Sequence, residues 1–492
     1  MQISKTYSFL LAFTAGLITV FGFAPFEVYM APLIGLAVLF YLWQRSSSPR
    51  HDFALGLSFG LGLYGFGIYW IYISLHEFGG MPWWFAGLST FCLCAFMALF
   101  PALVGYVSKR MGLVIWAAPL LWGLSDWVRG WIFTGFPWLT LGYSQVPHSP
   151  LVGFMPIIGV YGVSTIVALI ASMLANMCTK QSSTFWRVKS VFAVSILMLL
   201  SLLLKQIEWT SPIGQPLKVA LLQGNVSQSI KWSPEVANST ISQYLDMVEQ
   251  SDAQLIVLPE TALPVIAQQL DQQVTQRLTQ HAKNNNGDVL VGLVQYDSQD
   301  QSYFNSAISF GIAPVQAYSK IHLVPFGEFI PLKAVFGWIY RDWLNIPLSD
   351  LTRGKQQPPM QLAGQRVAVN ICYEDVFGEE IIQPLPEATL LVNMSNDAWY
   401  GKSFAAVQHM QFSQARAIET GRMMLRATNT GATAVIDQHG KVLLHAPHDV
   451  QITLTGKVQG YQGTTPYVWW GNWPFIVLSF GAIAFVLWRK TK

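Results

Sequence analysis

Residues 364–375 read GQRVAVNICYED, a β-rich run ending in one cysteine, Cys372, flanked by aromatic and acidic side chains. No other cysteine lies between the last apolar segment of the N-terminal half and the one that closes the chain. Two further stretches converge on it in this reading: LIVLPETALP (255–264), with Glu260, and SKIHLVPFGEFIP (319–331), with Lys320 and Glu328. A thiol, a carboxylate and an ammonium in one pocket supply a nucleophile, a base and a cation for an oxyanion, the ingredients of acyl transfer.

The surrounding pattern predicts a layered α/β domain over residues 206–466. Strands are expected at 217–223, 254–259, 288–296, 303–310, 366–372 and 388–394, with a hairpin over 424–446 turning at Gln438-His439-Gly440. Helices are expected at 233–250, 265–285 and 402–420.

A free thiol, with a pKa of about 8.5, is only a few per cent thiolate at neutral pH, so Cys372 needs a base. Glu260 follows an apolar strand that Pro259 ends, which puts its side chain at the sheet edge; as a plain surface carboxylate it would not sit against apolar residues on both sides. Glu328 competes for the base role, and so does Glu374 if the strand runs on past Cys372. Lys320, in an equally apolar setting, suits oxyanion stabilisation, and a salt bridge to one of the glutamates is compatible with that. His322 reads as structural, Asn393, Asn396, Asp397 and Trp399 as a loop that orders the pocket, and Arg416, Arg422 and Arg426 as folding residues. His322, His409 and His439 lack ligand spacing, so neither a metal nor a cofactor is expected.

The other half is apolar. Hydrophobic residues make up 52% of the 492 and charged residues 11%, against about 25% charged in a soluble protein, and the deficit falls on the first 205 residues. Eight spans are expected, with cores at 9–25, 29–44, 53–74, 84–106, 111–128, 153–177, 189–204 and 468–488. The domains then are 1–205 with seven spans, 206–466, and 467–492 with the eighth span and a tail. Cationic connections (Arg45 and Arg50; Lys109 and Arg110; Lys180, Arg187 and Lys189; Arg489, Lys490 and Lys492) alternate with connections nearly free of cations. That bias puts both termini in the cytoplasm and the polar domain outside it. The connection RGWIFTGFPWLTLGYSQVPHSP (129–150), broken by Gly135, Pro137 and Gly142, is no regular span. It reads equally well as an interfacial loop held by Trp131 and Trp138 or as the wall of a lipid-facing cleft. Asp126 and Arg129 are expected to pair with each other rather than to relay protons. A net charge of +3 with no basic aromatic patch gives no case for nucleic acid.

LPET, KIHLVPFGE and NICYED together resemble the carbon-nitrogen hydrolase (nitrilase) superfamily. With the apolar segments, FTGFPW (133–138), LLQGNVSQSIKW (221–232), VNMSNDAWYG (392–401) and RATNTGATAVIDQHG (426–440), the whole chain resembles the apolipoprotein N-acyltransferase family of Gram-negative bacteria. The resemblance implies an αββα sandwich inserted in a helical membrane domain, and a triad of Glu260 as base, Lys320 as electrostatic stabiliser and Cys372 as nucleophile. It implies assisting roles for Glu328 and Glu374, pocket positions for Tyr373 and Trp232, and a membrane-side segment at Gly135 and Trp138. Its reaction moves the sn-1 acyl chain of a phospholipid, typically phosphatidylethanolamine, to the α-amino group of a diacylglyceryl cysteine on an apolipoprotein. The implied partners are therefore a phospholipid donor, a diacylated apolipoprotein and the bilayer. The protein is taken as a monomer in the bacterial inner membrane, its catalytic domain periplasmic.

The rival reading is a membrane-anchored amidase or nitrile hydrolase that gives the same thioester to water; eight apolar segments are more than a tether needs. A transporter with a regulatory domain would carry ionisable residues within its spans, and these have almost none.

Overall fold

The computed structural model describes residues 4–179, 182–228, 231, 233–338 and 350–491. Lys180, Trp232 and Lys492, all singled out above, lie outside them. The chain divides into a helical unit (residues 1–72, 82–208 and 469–492) and a second unit (residues 73–81 and 209–468).

In the helical unit, three helices among the described residues are long and apolar enough to cross a bilayer: Trp83–Arg110, Pro150–Met177 and Thr184–Leu204. Pro49–Gly67 and Trp70–Phe78 make a fourth if the pair, bent by 51°, is one span. This corrects the expectation of eight spans, and the reason is length. Lys5–Val20, Met30–Arg45 and Val114–Arg129 have 16 residues each; at about 1.5 Å per residue that is about 24 Å, against about 30 Å of hydrocarbon. Apolar composition runs on into flanking turns where the helix does not: Lys5–Val20 stops before Gly22 and Pro25, although the apolar run continues.

The irregular connection after Val114–Arg129 is held by a buried ion pair. Arg129 donates to the Asp126 carboxylate (2.7 Å), to the carbonyl of Trp138 (2.7 Å) and to the Thr140 hydroxyl (3.0 Å). The Gly142 N–H is met by Ser164 (2.9 Å). Backbone that no helix satisfies thus finds partners in side chains, as it must away from water. Gly135 sits at φ 87°, where a side chain would be strained. Trp138 is fully buried against Trp70 and Phe136, whereas Trp131 and Phe133 are exposed. Only the latter pair has the exposure of an interfacial anchor.

The second unit contains two six-stranded sheets. One runs β12-β1-β2-β3-β4-β5, with β1 Thr210–Gln223, β2 Leu255–Val257, β3 Asp288–Asp297, β4 Ser302–Gly311, β5 Ala317–Ser319 and β12 Ile452–Gly463. The other runs β11-β10-β9-β8-β7-β6, with β6 Met360–Leu362, β7 Gln365–Ile371, β8 Leu390–Ser395, β9 Met424–Thr428, β10 Ala434–Ile436 and β11 Val442–His445. β1-β2-β3 and β7-β8-β9 are parallel, and their remaining neighbours antiparallel. The parallel strands are apolar nearly throughout because both faces are covered. Helices Pro234–Glu249 and Gln272–Asn284 press Tyr244, Leu245, Val248 and Leu278 onto Ile256, Val289 and Val291 of the first sheet. Ala405–Thr420 covers Leu391, Met424 and Ala434 of the second through Ala417. Each such buried aliphatic or aromatic side chain contributes roughly 1.5–3 kcal/mol. β1 lies against β9 and β4 against β7, which makes the order helix, sheet, sheet, helix.

Residues 73–81 group with this unit although the sequence places them among the apolar helices. The Phe78 ring meets Trp399 edge-on at 6.3 Å, and a Cβ on Gly401 would come within 3.2 Å of Ile73.

Candidate active site

Glu260 and Cys372 each lie just past the C-terminal end of a parallel strand, β2 and β7, where open α/β sheets present ligand-binding groups. The turn carrying Glu260 lies hard against β3. A Cβ on Gly292 would stand 2.2 Å from the carbonyl oxygen of Pro259 and 2.6 Å from the N–H of Thr261, so only glycine allows the approach. Cys372 sits at φ 53°, in the left-handed region that a non-glycine residue adopts at a cost. The chain there breaks from strand into a short 3-10 turn, Cys372–Val376. A side chain on such a sharp turn is lifted clear of the sheet.

Lys320, 1% exposed, follows β5, and its N–H extends the ladder to the carbonyl of Asn305 (2.8 Å). Its ammonium is 2.9 Å from the Glu328 carboxylate and 3.5 Å from that of Glu260. Asn305 donates to both carboxylates, at 2.7 Å to Glu260 and 3.0 Å to Glu328. Burial alone would lower the pKa of Lys320, but Glu328, Glu260 and Cys372 outweigh it and raise it, so the side chain stays cationic. Burial raises the Cys372 thiol well above its ordinary range; Glu260 and Asp397 push the same way, while Lys320 and a hydrogen bond from Ser395 pull it down. The cysteine therefore rests as a thiol.

The structure brings Glu260, Lys320, Glu328 and Cys372 together. Glu328 is tied down on its other oxygen by the N–H of Val324 (2.8 Å). Glu374 is placed differently from the strand-face expectation, because β7 stops at Ile371. Its buried carboxylate accepts from the N–H groups of Ile371 (2.6 Å), Ile321 (2.6 Å) and His322 (3.1 Å) and from the Tyr318 hydroxyl (2.9 Å). Burial pushes its pKa up to about 7 against those donors and Lys320. With its acceptors so occupied, Glu374 joins the cysteine turn to the lysine strand. Tyr373 is buried edge-on to Phe377 (5.1 Å), on which His322 stacks at 3.6 Å. Gly135 and Trp138 belong to the helical unit described above.

Three groups escaped the sequence reading. Asn305 is one. Lys231 is another: 2% exposed, it donates to the Thr261 hydroxyl (2.9 Å) and the Glu260 carbonyl (3.4 Å). Burial brings its pKa down to about 8, with Glu260 opposing. The third is Asp375, which joins Asp397, His409 and Arg426, all named above, in a cluster beneath the cysteine. His409 faces Asp397 through Nδ1 (2.9 Å) and Asp375 through Nε2 (2.8 Å), and Nε2 also lies 3.1 Å from the Cys372 carbonyl. Arg426 reaches Asp375 (3.0 Å), Asp397 (2.9 Å) and Asn393 (2.9 Å), and Asn393 donates to the Cys372 carbonyl (3.0 Å). Burial and Arg426 lower the His409 pKa, but the two aspartates prevail and lift it to about 9. Burial alone would raise that of Asp397; Arg426 and His409 bring it down to about 2. Two anions thus balance two cations, and removing one member would strand a buried charge at a cost of about 3–5 kcal/mol.

A helix-flanked double sheet with a glutamate, a lysine and a cysteine gathered at its strand ends defines a carbon-nitrogen hydrolase, and the carbon-nitrogen hydrolase family model matches residues 218–467. The model of the apolipoprotein N-acyltransferase N-terminal domain matches residues 15–173. An apolipoprotein N-acyltransferase of Nitrosomonas europaea is 51% identical over 94% of this chain and 93% of its own. That of Chromobacterium violaceum is 42% identical over 98% and 94%. The nitrilase-superfamily protein Nit3 of Saccharomyces cerevisiae, 17% identical, covers 50% of this chain and 91% of its own with a TM-score of 0.39. The chain belongs to the apolipoprotein N-acyltransferase family, and is an enzyme of acyl-transfer chemistry with a membrane region.

Proposed function

We propose that the protein moves the sn-1 acyl chain of a phospholipid, phosphatidylethanolamine foremost, to the α-amino group of a diacylglyceryl cysteine on an apolipoprotein, through a thioester on Cys372. The observation that carries the reading is the buried Cys372 thiol among Glu260, Lys320 and Glu328. Glu260 takes the thiol proton and the sulfur attacks the ester carbonyl, while Lys320 stabilises the oxyanion. Collapse expels the lysophospholipid oxygen, which receives the proton from Glu260. The acceptor amine, with a pKa of about 7.7–8.0, then attacks the thioester and gives its proton to Glu260, which returns it to sulfur. On this reading the catalytic domain is 206–466 and faces the periplasm; support comes from Arg45, Arg50, Lys109, Arg110, Arg187 and Lys189, gathered at one set of helix connections.

The test is an intact-mass measurement on protein incubated with phospholipid. An acyl-sized adduct that a diacylated lipopeptide discharges into triacylated product is expected. Free fatty acid released at the same rate without lipopeptide would instead favour the amidase-like hydrolase.

Lys320→Met is expected to slow acylation by about 10²–10³-fold with little change in phospholipid binding, because its charge is needed most when the carbonyl oxygen becomes an anion. Stopped acylation kinetics beside a binding isotherm check this. A change in binding alone would remove the oxyanion role.

A further inference from the structure

Thr261, the residue after Glu260, sits at φ 45°, in the left-handed region. A β-branched residue adopts that backbone at a cost, and keeps it only where the surroundings hold it there. Gly292 packs against the turn, as described above, and Lys231 spans it. The buried Lys231 ammonium donates to the Thr261 hydroxyl (2.9 Å) and to the Glu260 carbonyl (3.4 Å), one oxygen on each residue of the turn. An ammonium carries donors only, so both oxygens accept. Taking it out of water is costly, and the reaction outlined above gives it no step.

Lys231 belongs to the loop that leaves β1 at Gln223, and this loop is fastened to the other sheet. The N–H of Asn225 donates to the Asn429 carbonyl (2.8 Å) and that of Val226 to the Asn429 side-chain oxygen (2.9 Å). The Asn429 amide returns a bond to the Val226 carbonyl (2.7 Å), and the Asn396 amide donates to Gln228 (2.6 Å). Asn396 and Asn429 are the first residues past β8 and β9, the two strands that follow β7 across the sheet. The loop therefore rests on the strand ends beside the one that carries Cys372.

We propose that Lys231 is a positioning residue for the base: it ties the strained Glu260–Thr261 turn of one sheet to a loop anchored on the other, and so sets how the Glu260 carboxylate meets the Cys372 thiol. Asn305 (2.7 Å) and Lys320 (3.5 Å), which hold that carboxylate, come from the same sheet as Glu260. They fix its tip relative to their own strands. Lys231 refers its backbone to the sheet of the nucleophile. Proton transfer from sulfur depends on the separation of the two groups, and a misplacement of about 1 Å costs about 10²-fold.

The role rests on Glu260 being the base, so each variant is made both in the parent and in Glu260→Gln. Full-length protein in detergent is mixed with increasing phospholipid, and the rate of acyl-adduct formation is followed by intact mass. Lys231→Met is expected to lower the saturating rate about 10–100-fold and to leave the half-saturating phospholipid concentration unchanged. Thr261→Val keeps the shape of the side chain and removes only the acceptor, so it reports on the same contact even if Lys231→Met folds poorly. It is expected to lower the saturating rate about fivefold, with the melting temperature little changed. In Glu260→Gln neither substitution is expected to add a further loss. Parental rates in both single variants overturn the proposal. So does an undiminished loss in the Glu260→Gln background, because Lys231 then acts other than through the base. If Glu260→Gln itself acylates at the parental rate, the base assignment fails and takes the positioning role with it. If the parent gains no acyl group from phospholipid, the proposed reaction fails, while the same rates read with a p-nitrophenyl acyl ester still decide the part played by Lys231.

Discussion

Cys372→Ala is expected to abolish the acyl adduct and to cut lipopeptide acylation by about 10⁴-fold or more, the scale of loss when a nucleophile is deleted. The substitution is a clean one. Alanine has the same Cβ as cysteine, so the strain at φ 53° is unchanged, and the carbonyl contacts from Asn393 and His409 are made by backbone and remain. Only the sulfur disappears. Intact mass after incubation with phospholipid reads the result. An adduct that persists in the alanine variant would end the assignment of Cys372 as nucleophile.

Glu260→Gln is expected to reduce acylation by about 10²–10⁴-fold, the contribution of a positioned general base. The amide oxygen can go on accepting from Asn305 and Lys320, which now stand at 2.7 Å and 3.5 Å, so the variant should fold and insert as the parent does. What it loses is the ability to take a proton from a thiol whose pKa burial has raised. The expected signature is a low rate of thioester formation with phospholipid binding retained. Near-parental turnover would pass the base role to Glu328. That residue is less suited to it, because Lys320 holds it closely at 2.9 Å and the N–H of Val324 caps its second oxygen.

Much of the site could be read along the chain because its parts sit at the ends of short apolar strands. LIVLP and RVAVNI lead up to Glu260 and Cys372, which stand just past the ends of β2 and β7. What could not be read depends on distance or on context. Pro212, Gly214 and Pro216 hid the first half of β1, which tolerates them through a register shift between Ile213 and Leu217. β12 was missed because no apolar run marks it: Thr453, Thr455, Gly456, Lys457, Gln459 and Gly460 break up Ile452, Leu454 and Val458. The cluster of Asp375, Asp397, His409 and Arg426 is assembled from four separate segments. One signal was present: Ala405–Thr420 carries Gln408, His409, Gln411, Ser413, Arg416 and Glu419, too polar for a core helix, yet all are buried. A helix that is polar all round and still covered must have partners for those groups. The span count failed for the opposite reason, since apolar composition alone does not say where a helix stops.

The path of the chain also limits how the molecule can be cut. Because residues 73–81 fold with the sandwich before the backbone returns to the helices, even two cuts, after 208 and after 468, do not free the whole second unit. A water-soluble fragment starting at Trp209 would leave the rings and methyl groups around Trp399 and Gly401 uncovered. A usable fragment has to bring Ile73 and Phe78 with it, as a grafted peptide or a second polypeptide.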